Sequence, residues 1–476
     1  MSSSLSEKQS KINFICNSLL FLSSVSFLFF YLILSYFNRP AFDDFIGIYF
    51  AEGKSIFQYV SEMYLTISGR WISWAYMYSV ISSASSFQGM YTYFFIYYIF
   101  TLAILIYSFN QIIQAFFVRL FNISISFKIS LVYSVLFLAC FYFFTFQNIE
   151  TWWYIGASFM YLQGIVFLLL GIALLLRKKK TFIHYFLIVF SFIYAGSCYE
   201  VYSLIICFLF VSLIIYFLLK NKKNWKSLRE HWFFKGFLIA FISMSASSLI
   251  CVFAKSNLDR SNDYKFDLAR KSLGSDWSVI LNFLGENKLA VAILLAMVWF
   301  IVGINIKNHT LSNRNNELIK ATFKFSLFTL FSSVLITYLF QKLFLYDCLI
   351  PSRGWAFTSI ALAFFCCFSF LLIGYFFSIN IILQNAIKVL IPVIVFTVLT
   401  YNLINQYKIT NVYSEKYDAL IDSFLDAKKN NNRETFYMEK LPDSGMLMQL
   451  DMEDDSHDPI FLKNILGLDF EIKVKQ

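Results

Sequence analysis

Two adjacent acids, Asp43 and Asp44, follow Pro40-Ala41-Phe42 just after the first long apolar run of the chain. A carboxylate held in a dry cleft can take the proton of an attacking hydroxyl, which is general-base chemistry. Neighbouring residues on a helix point in different directions. One acid can therefore serve a site while the other binds a metal, orients a neighbour or caps the helix that starts there. Glu150 lies in Gln147-Asn148-Ile149-Glu150-Thr151-Trp152-Trp153-Tyr154, a stretch with three aromatic rings and no Lys or Arg. Aromatic faces beside an acid suit a sugar, whose C–H faces stack and whose hydroxyls need acceptors. A membrane-boundary belt accounts equally for Trp152 and Trp153, but not for Glu150. Glu200, after Gly196-Ser197-Cys198-Tyr199, is another acid of this kind. Arg70 in Gly69-Arg70-Trp71, Arg260 and Arg353 carry forked guanidinium groups that can hold a phosphate and steady it as it leaves. Salt bridges to Asp259 and Asp347 are the competing use of the last two, and a basic-aromatic stop at the membrane boundary is that of Arg70. The chain has no phosphate-binding glycine loop, zinc spacing or Gly-x-Ser-x-Gly elbow. No cofactor and no metal is expected, beyond a divalent ion that the acid pair could hold.

The elements that must position these groups are membrane helices. Of 476 residues, 59% are hydrophobic and only 14% are charged. A soluble domain could not hide so much apolar surface, so the fold class is an all-α polytopic membrane protein. The net charge of +10 sits in short loops between apolar runs, which argues for a membrane topology and against nucleic acid as partner. Spans are expected over residues 12–36, 90–109, 129–146, 158–176, 181–196, 199–219, 236–254, 289–306, 325–340, 355–377 and 389–404. Residues 71–86 and 111–127 either both cross or both lie at the interface, so the total is about 11 or 13 by the ~20-residue length of a span. Gln111, Gln114 and Arg119 favour an interfacial helix and the lower count. The basic loops 177–180, 220–235 and 307–324 set the inner side. They leave residues 147–157, 198–200, 255–288, 344–353 and the tail outside. The first apolar run is too long for a signal-peptide core and is expected to stay as a helix. Cys198 and Cys348 are expected as free thiols, and His184 as a satisfied core residue. Residues 1–404 then form a transmembrane domain with an outer loop at 37–70. Residues 405–476 form a small soluble α/β tail, helical at 413–428 with a strand near 433–438, packed on the outer loops.

With these motifs the chain resembles bacterial polytopic glycosyltransferases of the GT-C fold class, and within them the serotype-converting O-antigen glycosyltransferases and related uncharacterised families. The resemblance is carried by Asp43-Asp44 after the first span, Gly69-Arg70, Trp153-x-x-Gly156 with Tyr161, Glu200, the Asn257 to Arg260 loop, Arg353 and the outer tail. It implies a GT-C-like architecture and transfer of a single sugar, such as glucose, from a polyprenyl-phosphate donor. The acceptor would be a cell-surface glycan such as the O-antigen of lipopolysaccharide, at the periplasmic face of the inner membrane, with a cytoplasmic N-terminus and a periplasmic tail. The family's catalytic acid falls on Asp43 or Asp44. Arg353, helped by Arg70 or Arg260, would bind the donor phosphate. Glu150, Trp152, Trp153, Tyr161 and Glu200 would contact sugar or acceptor. The loop at 255–260 departs from the related families in lacking Pro-Gly. Two rival functions share the composition: an O-antigen polymerase, and a non-enzymatic transporter or flippase of lipid-linked sugars. The gathering of acids at one face counts against the second.

Overall fold

The computed structural model describes residues 2–41, 43–84, 86–146, 148–220, 232–257, 259, 283–309, 316–344, 352–377, 380–431, 433–450 and 458–474. Apolar runs become helices because backbone groups in hydrocarbon must find their hydrogen bonds within their own segment. Helix α1 (Ser2–Phe37) leads into three short helices, α2 (Asp43–Ala51), α3 (Ile56–Thr66) and α4 (Trp71–Ile81). The bundle continues with α5 (Gly89–Phe121), α6 (Phe127–Phe144), the short α7 (Ile155–Met160), α8 (Leu162–Leu175), α9 (Phe182–Cys198) and α10 (Glu200–Lys220). Then come α11 (Trp232–Val252), α12 (Asn287–His309), α13 (Asn316–Phe344), α14 (Ala356–Phe376) and the very long α15 (Ile381–Lys429). Among the described residues nine helices are long and apolar enough to cross a membrane, with two shorter apolar helices beside them. The chain is a helical multi-pass membrane protein.

Two stretches differ from the sequence expectation. Residues 111–121 form no separate interfacial helix but are the last third of α5. At ~1.5 Å per residue, its 33 residues reach ~50 Å, longer than the ~30 Å of hydrocarbon a single span must cross. Gln114 on this helix donates to Asn110 Oδ1 and the Ser130 hydroxyl at 2.6 and 2.9 Å. Likewise α15 does not stop near residue 404. Its 49 residues run ~74 Å, so the boundary between membrane domain and tail falls inside one continuous helix.

The bundle is held by close helix pairs. Where α12 crosses α14, a Cβ on Gly303 would strike the Leu371 carbonyl, and one on Gly374 would strike the Phe300 carbonyl. Two glycines on facing helices let the backbones touch, which is how small residues favour association in lipid. Beyond the membrane, Tyr413, Tyr417, Ile421 and Phe424 lie fully buried along one face of α15. The tail covers that face. Phe436 and Phe470 pack on Phe424 at 5.0 and 6.3 Å, and the Leu450 N–H donates to the Tyr413 hydroxyl at 3.0 Å. Its strands β1 (Phe436–Met438) and β2 (Ile472–Val474) pair in parallel, and α16 (Asp458–Leu466) rests on α2.

Candidate functional site

Asp44 is 1% exposed and ties three chain segments together. Its Oδ2 accepts the Ala41 N–H at 3.1 Å, so it reaches back to cap the start of α2. Its Oδ1 accepts the Gly156 N–H at 2.6 Å, in the first turn of α7. The loop before it is fixed as well: Asn38 donates to the Trp153 carbonyl at 2.8 Å and to the Tyr98 hydroxyl at 3.0 Å. Of the two adjacent acids, then, Asp44 takes the capping role. The side chain of Asp43 lies outside the described residues.

One turn along α7 stands the second cluster. Arg70 Nη1 contacts Met160 Sδ at 3.2 Å, and Gly156 to Met160 is one helical turn, a rise of ~6 Å. The Arg70 guanidinium forks onto Glu200, Nε and Nη2 meeting Oε2 at 3.2 and 3.0 Å and Nε meeting Oε1 at 3.3 Å. Both side chains are largely buried, 12% and 9% exposed. Arg70 also lies over the rings of Tyr199 and Tyr161, at 4.9 and 5.5 Å. Burial opposes its charge, but Glu200 and the tyrosines outweigh that and hold the guanidinium well above its ordinary range. Asn257 completes the group, donating to Glu200 Oε1 at 3.1 Å and to the Cys251 carbonyl at 2.7 Å. Gly69 lets this happen: a side chain there would collide with the same Cys251 carbonyl.

Arg70, Tyr161, Glu200 and Asn257 are therefore brought together, and Asp44 joins them through α7. Arg70 and Glu200 were expected on different ligands, a phosphate and a sugar; instead they hold each other. Trp152 and Trp153 are corrected from their expected role as a sugar platform. Both are fully buried, with rings against Tyr31, Phe141 and Tyr142, and their N–H groups donate to Thr145 and the Tyr142 hydroxyl at 3.1 and 2.9 Å. No indole face is left for a ligand. Glu150 lies half-buried on the π-helical turn Ile149–Trp153. Arg353 sits on the 3-10 turn Ser352–Trp355, though its side chain, like all of Arg260, is outside the described residues. His184 caps its own helix, Nδ1 accepting the Thr181 N–H at 3.1 Å. Cys198 is a free thiol, and Cys348 is outside the described residues.

Three polar groups at this end escaped the sequence reading. Arg39 forks onto Asp418 at 2.7 Å on both arms while lying 4.5 Å over Tyr91, and the Tyr417 hydroxyl donates to the Pro40 carbonyl at 3.0 Å. Lys288 donates to the Phe146 carbonyl, Asn148 Oδ1 and Glu286 at 2.7, 3.1 and 2.6 Å, pinning the chain just ahead of the π turn. Asn38, bound to the Trp153 carbonyl and the Tyr98 hydroxyl, is the third. The signal available for Arg39 and Lys288 was the one used for Arg353: a cation on the side where the positive-inside rule expects none.

Below the Arg70 cluster the rings continue toward the bundle. Tyr199 meets Tyr202 at 4.8 Å, and Tyr202 meets Phe357 at 6.0 Å. Phe357 borders an apolar cavity of about 330 Å³ between α5, α6, α8, α12, α13 and α14, lined among others by Phe116, Phe137, Leu169, Trp299 and Phe364. No family model, curated protein or solved structure matches this chain.

Proposed function

We propose that the chain is a membrane glycosyltransferase of GT-C-like architecture with eleven spans, moving one sugar from a polyprenyl-phosphate donor to a surface glycan. One observation carries this: Asp44 and Arg70, distant in sequence, both bind the short helix α7 at one end of the bundle, and Arg70 brings Glu200 with it. The basic loop 177–180 lies at the other end. By the positive-inside rule that end is cytoplasmic, so the cluster faces the periplasm. Both oxygens of Asp44 already hold backbone N–H groups, so it fixes the loop, and Asp43 beside it takes the role of base. The acceptor hydroxyl attacks the anomeric carbon as the carbon–oxygen bond to the donor phosphate breaks. Asp43 receives the hydroxyl proton, the phosphate leaves with the bonding pair, and the configuration inverts. Arg353 receives the phosphate charge, and Arg70, held by Glu200, Met160 and Tyr161, adds its positive field. Glu150 faces the acceptor. The apolar cavity suits the first isoprene units of the donor, which need a hydrocarbon wall and no polar partner.

The test is transfer in proteoliposomes supplied with a polyprenyl-phosphate hexose and a lipopolysaccharide-type glycan. One hexose should be added per acceptor. Asp43→Asn should lower the rate about a hundredfold or more, the usual worth of a general base, with the protein still membrane-embedded. Undiminished transfer by that variant removes the base assignment. Joining of multi-sugar blocks would instead make the chain a polymerase. Movement of labelled donor across the bilayer without bond formation would make it a transporter.

A further inference from the structure

At the end of the bundle opposite Asp44, cations from three separate stretches come together. Arg119, in the last turn of α5, donates from Nη2 to the Leu176 carbonyl at 3.2 Å. Arg177 follows at once and reaches back to the Tyr107 hydroxyl on α5 at 3.4 Å. Lys180 turns its ammonium onto the Arg177 carbonyl at 2.7 Å, and its Cε and Nζ stand against Gly236 at the start of α11. Beside Gly236, Lys235 lies 5.9 Å over the Tyr185 ring. Lys178 and Lys179 complete the group. Arg119, Arg177, Lys178, Lys179 and Lys235 are exposed, and Lys180 is half-buried. Burial, with the Arg119 charge next to it, holds the Lys180 ammonium below the ordinary lysine range. Residues 63–149 and 151–199, which carry five of these six cations, contain no Asp or Glu. The field at this corner is accordingly strongly positive.

The same corner has an apolar half. Helix α9 starts directly after Lys180, and its first turns present Phe182, Phe186 and Phe190 at 85%, 60% and 40% exposure. Their four-residue spacing makes one stripe running from the cations toward the middle of the membrane. Charge above a hydrocarbon stripe matches an amphiphile. A free phosphate or a nucleotide would use the cations and have no use for the phenyl rings.

We infer that this corner is a binding site for an anionic phospholipid. Its phosphodiester sits on Arg119, Arg177 and Lys180, and an acyl chain lies along Phe182, Phe186 and Phe190. This holds whether or not the chain transfers sugars.

The full-length protein, purified in a neutral detergent, should retain phosphatidylglycerol in native mass spectrometry and melt at a higher temperature when it is added. Phosphatidylcholine and inorganic phosphate should do neither. The triple variant Arg119→Gln, Arg177→Gln, Lys180→Gln should bind phosphatidylglycerol about a hundredfold more weakly, since each surface cation contributes about a factor of five. Lys408→Gln, Lys416→Gln, Lys473→Gln, with the same change of charge at exposed positions of the other end, should bind as the parent does. Phe182→Ser with Phe186→Ser keeps every cation and should still shorten retention. For the unaltered protein, rising salt should release phosphatidylglycerol, because the contact is ionic and screened; that arm needs no variant to fold. Equal retention of phosphatidylcholine, equal stabilisation by inorganic phosphate, or equal loss in the two triple variants would overturn the site.

Discussion

The Arg70–Glu200 fork is the most consequential pair of side chains at the site end. Two charges that are each about nine-tenths buried survive only because they neutralise each other and because Asn257 and two tyrosine faces satisfy what remains. Removing one partner strands the other. Glu200→Gln should therefore cost about 3 to 5 kcal/mol, and a double change of Arg70 and Glu200 to uncharged residues should cost less than the single one. Arg70→Lys should also destabilise, since an ammonium cannot make the fork or lie flat on Tyr199. Melting of the purified variants reads all three, and a Glu200→Gln protein that melts with the parent would show the charge to be solvated. The acid pair divides in the same way: the residue types announced that a carboxylate would matter near Pro40, but only the N–H groups of Ala41 and Gly156 show that Asp44 is the capping one.

At the scale of elements, short pieces of helix do the positioning. The six-residue α7 holds Asp44 at its start and touches Arg70 at its end, and the π turn before it buries Trp152 and Trp153. No hydropathy pattern marks a six-residue helix, so the turn was not legible, and the two indoles looked like a membrane-boundary belt. Long helices were legible, because a run of apolar residues of bilayer length has few other stable states in lipid. Their lateral contacts are a different matter. The α12–α14 crossing depends on Gly303 and Gly374 meeting a carbonyl each. Gly374→Ala should force the helices apart and cost about 1 to 3 kcal/mol, the usual range for overpacking. A melting temperature equal to that of the parent would mean the pair can slide without loss.

Across the whole molecule, the C-terminal extension of α15 is a strut that the first loop leans on. Arg39, Pro40 and Tyr91 meet Asp418 and Tyr417, while Gln88 donates to Asp422 at 2.6 Å. Ending the chain after residue 404 removes every one of these contacts and leaves Arg39 buried without its carboxylate; ending it after residue 429 keeps them. The first truncation should open residues 38–41 to added protease and the second, which also lifts α16 off α2, should leave that loop protected, as followed by cleavage in membranes. Equal protection in both would separate the tail from the site. The residue sequence alone determined that this is a helical multi-pass membrane protein and which long apolar runs are helical, because solvation by hydrocarbon or water depends on local composition. Only the tertiary structure decided which charges neutralise one another, that the membrane domain and tail share a helix, and that Trp152 and Trp153 are core. Those outcomes turn on contacts between residues tens to hundreds of positions apart, where geometry, and no local preference, selects the partner.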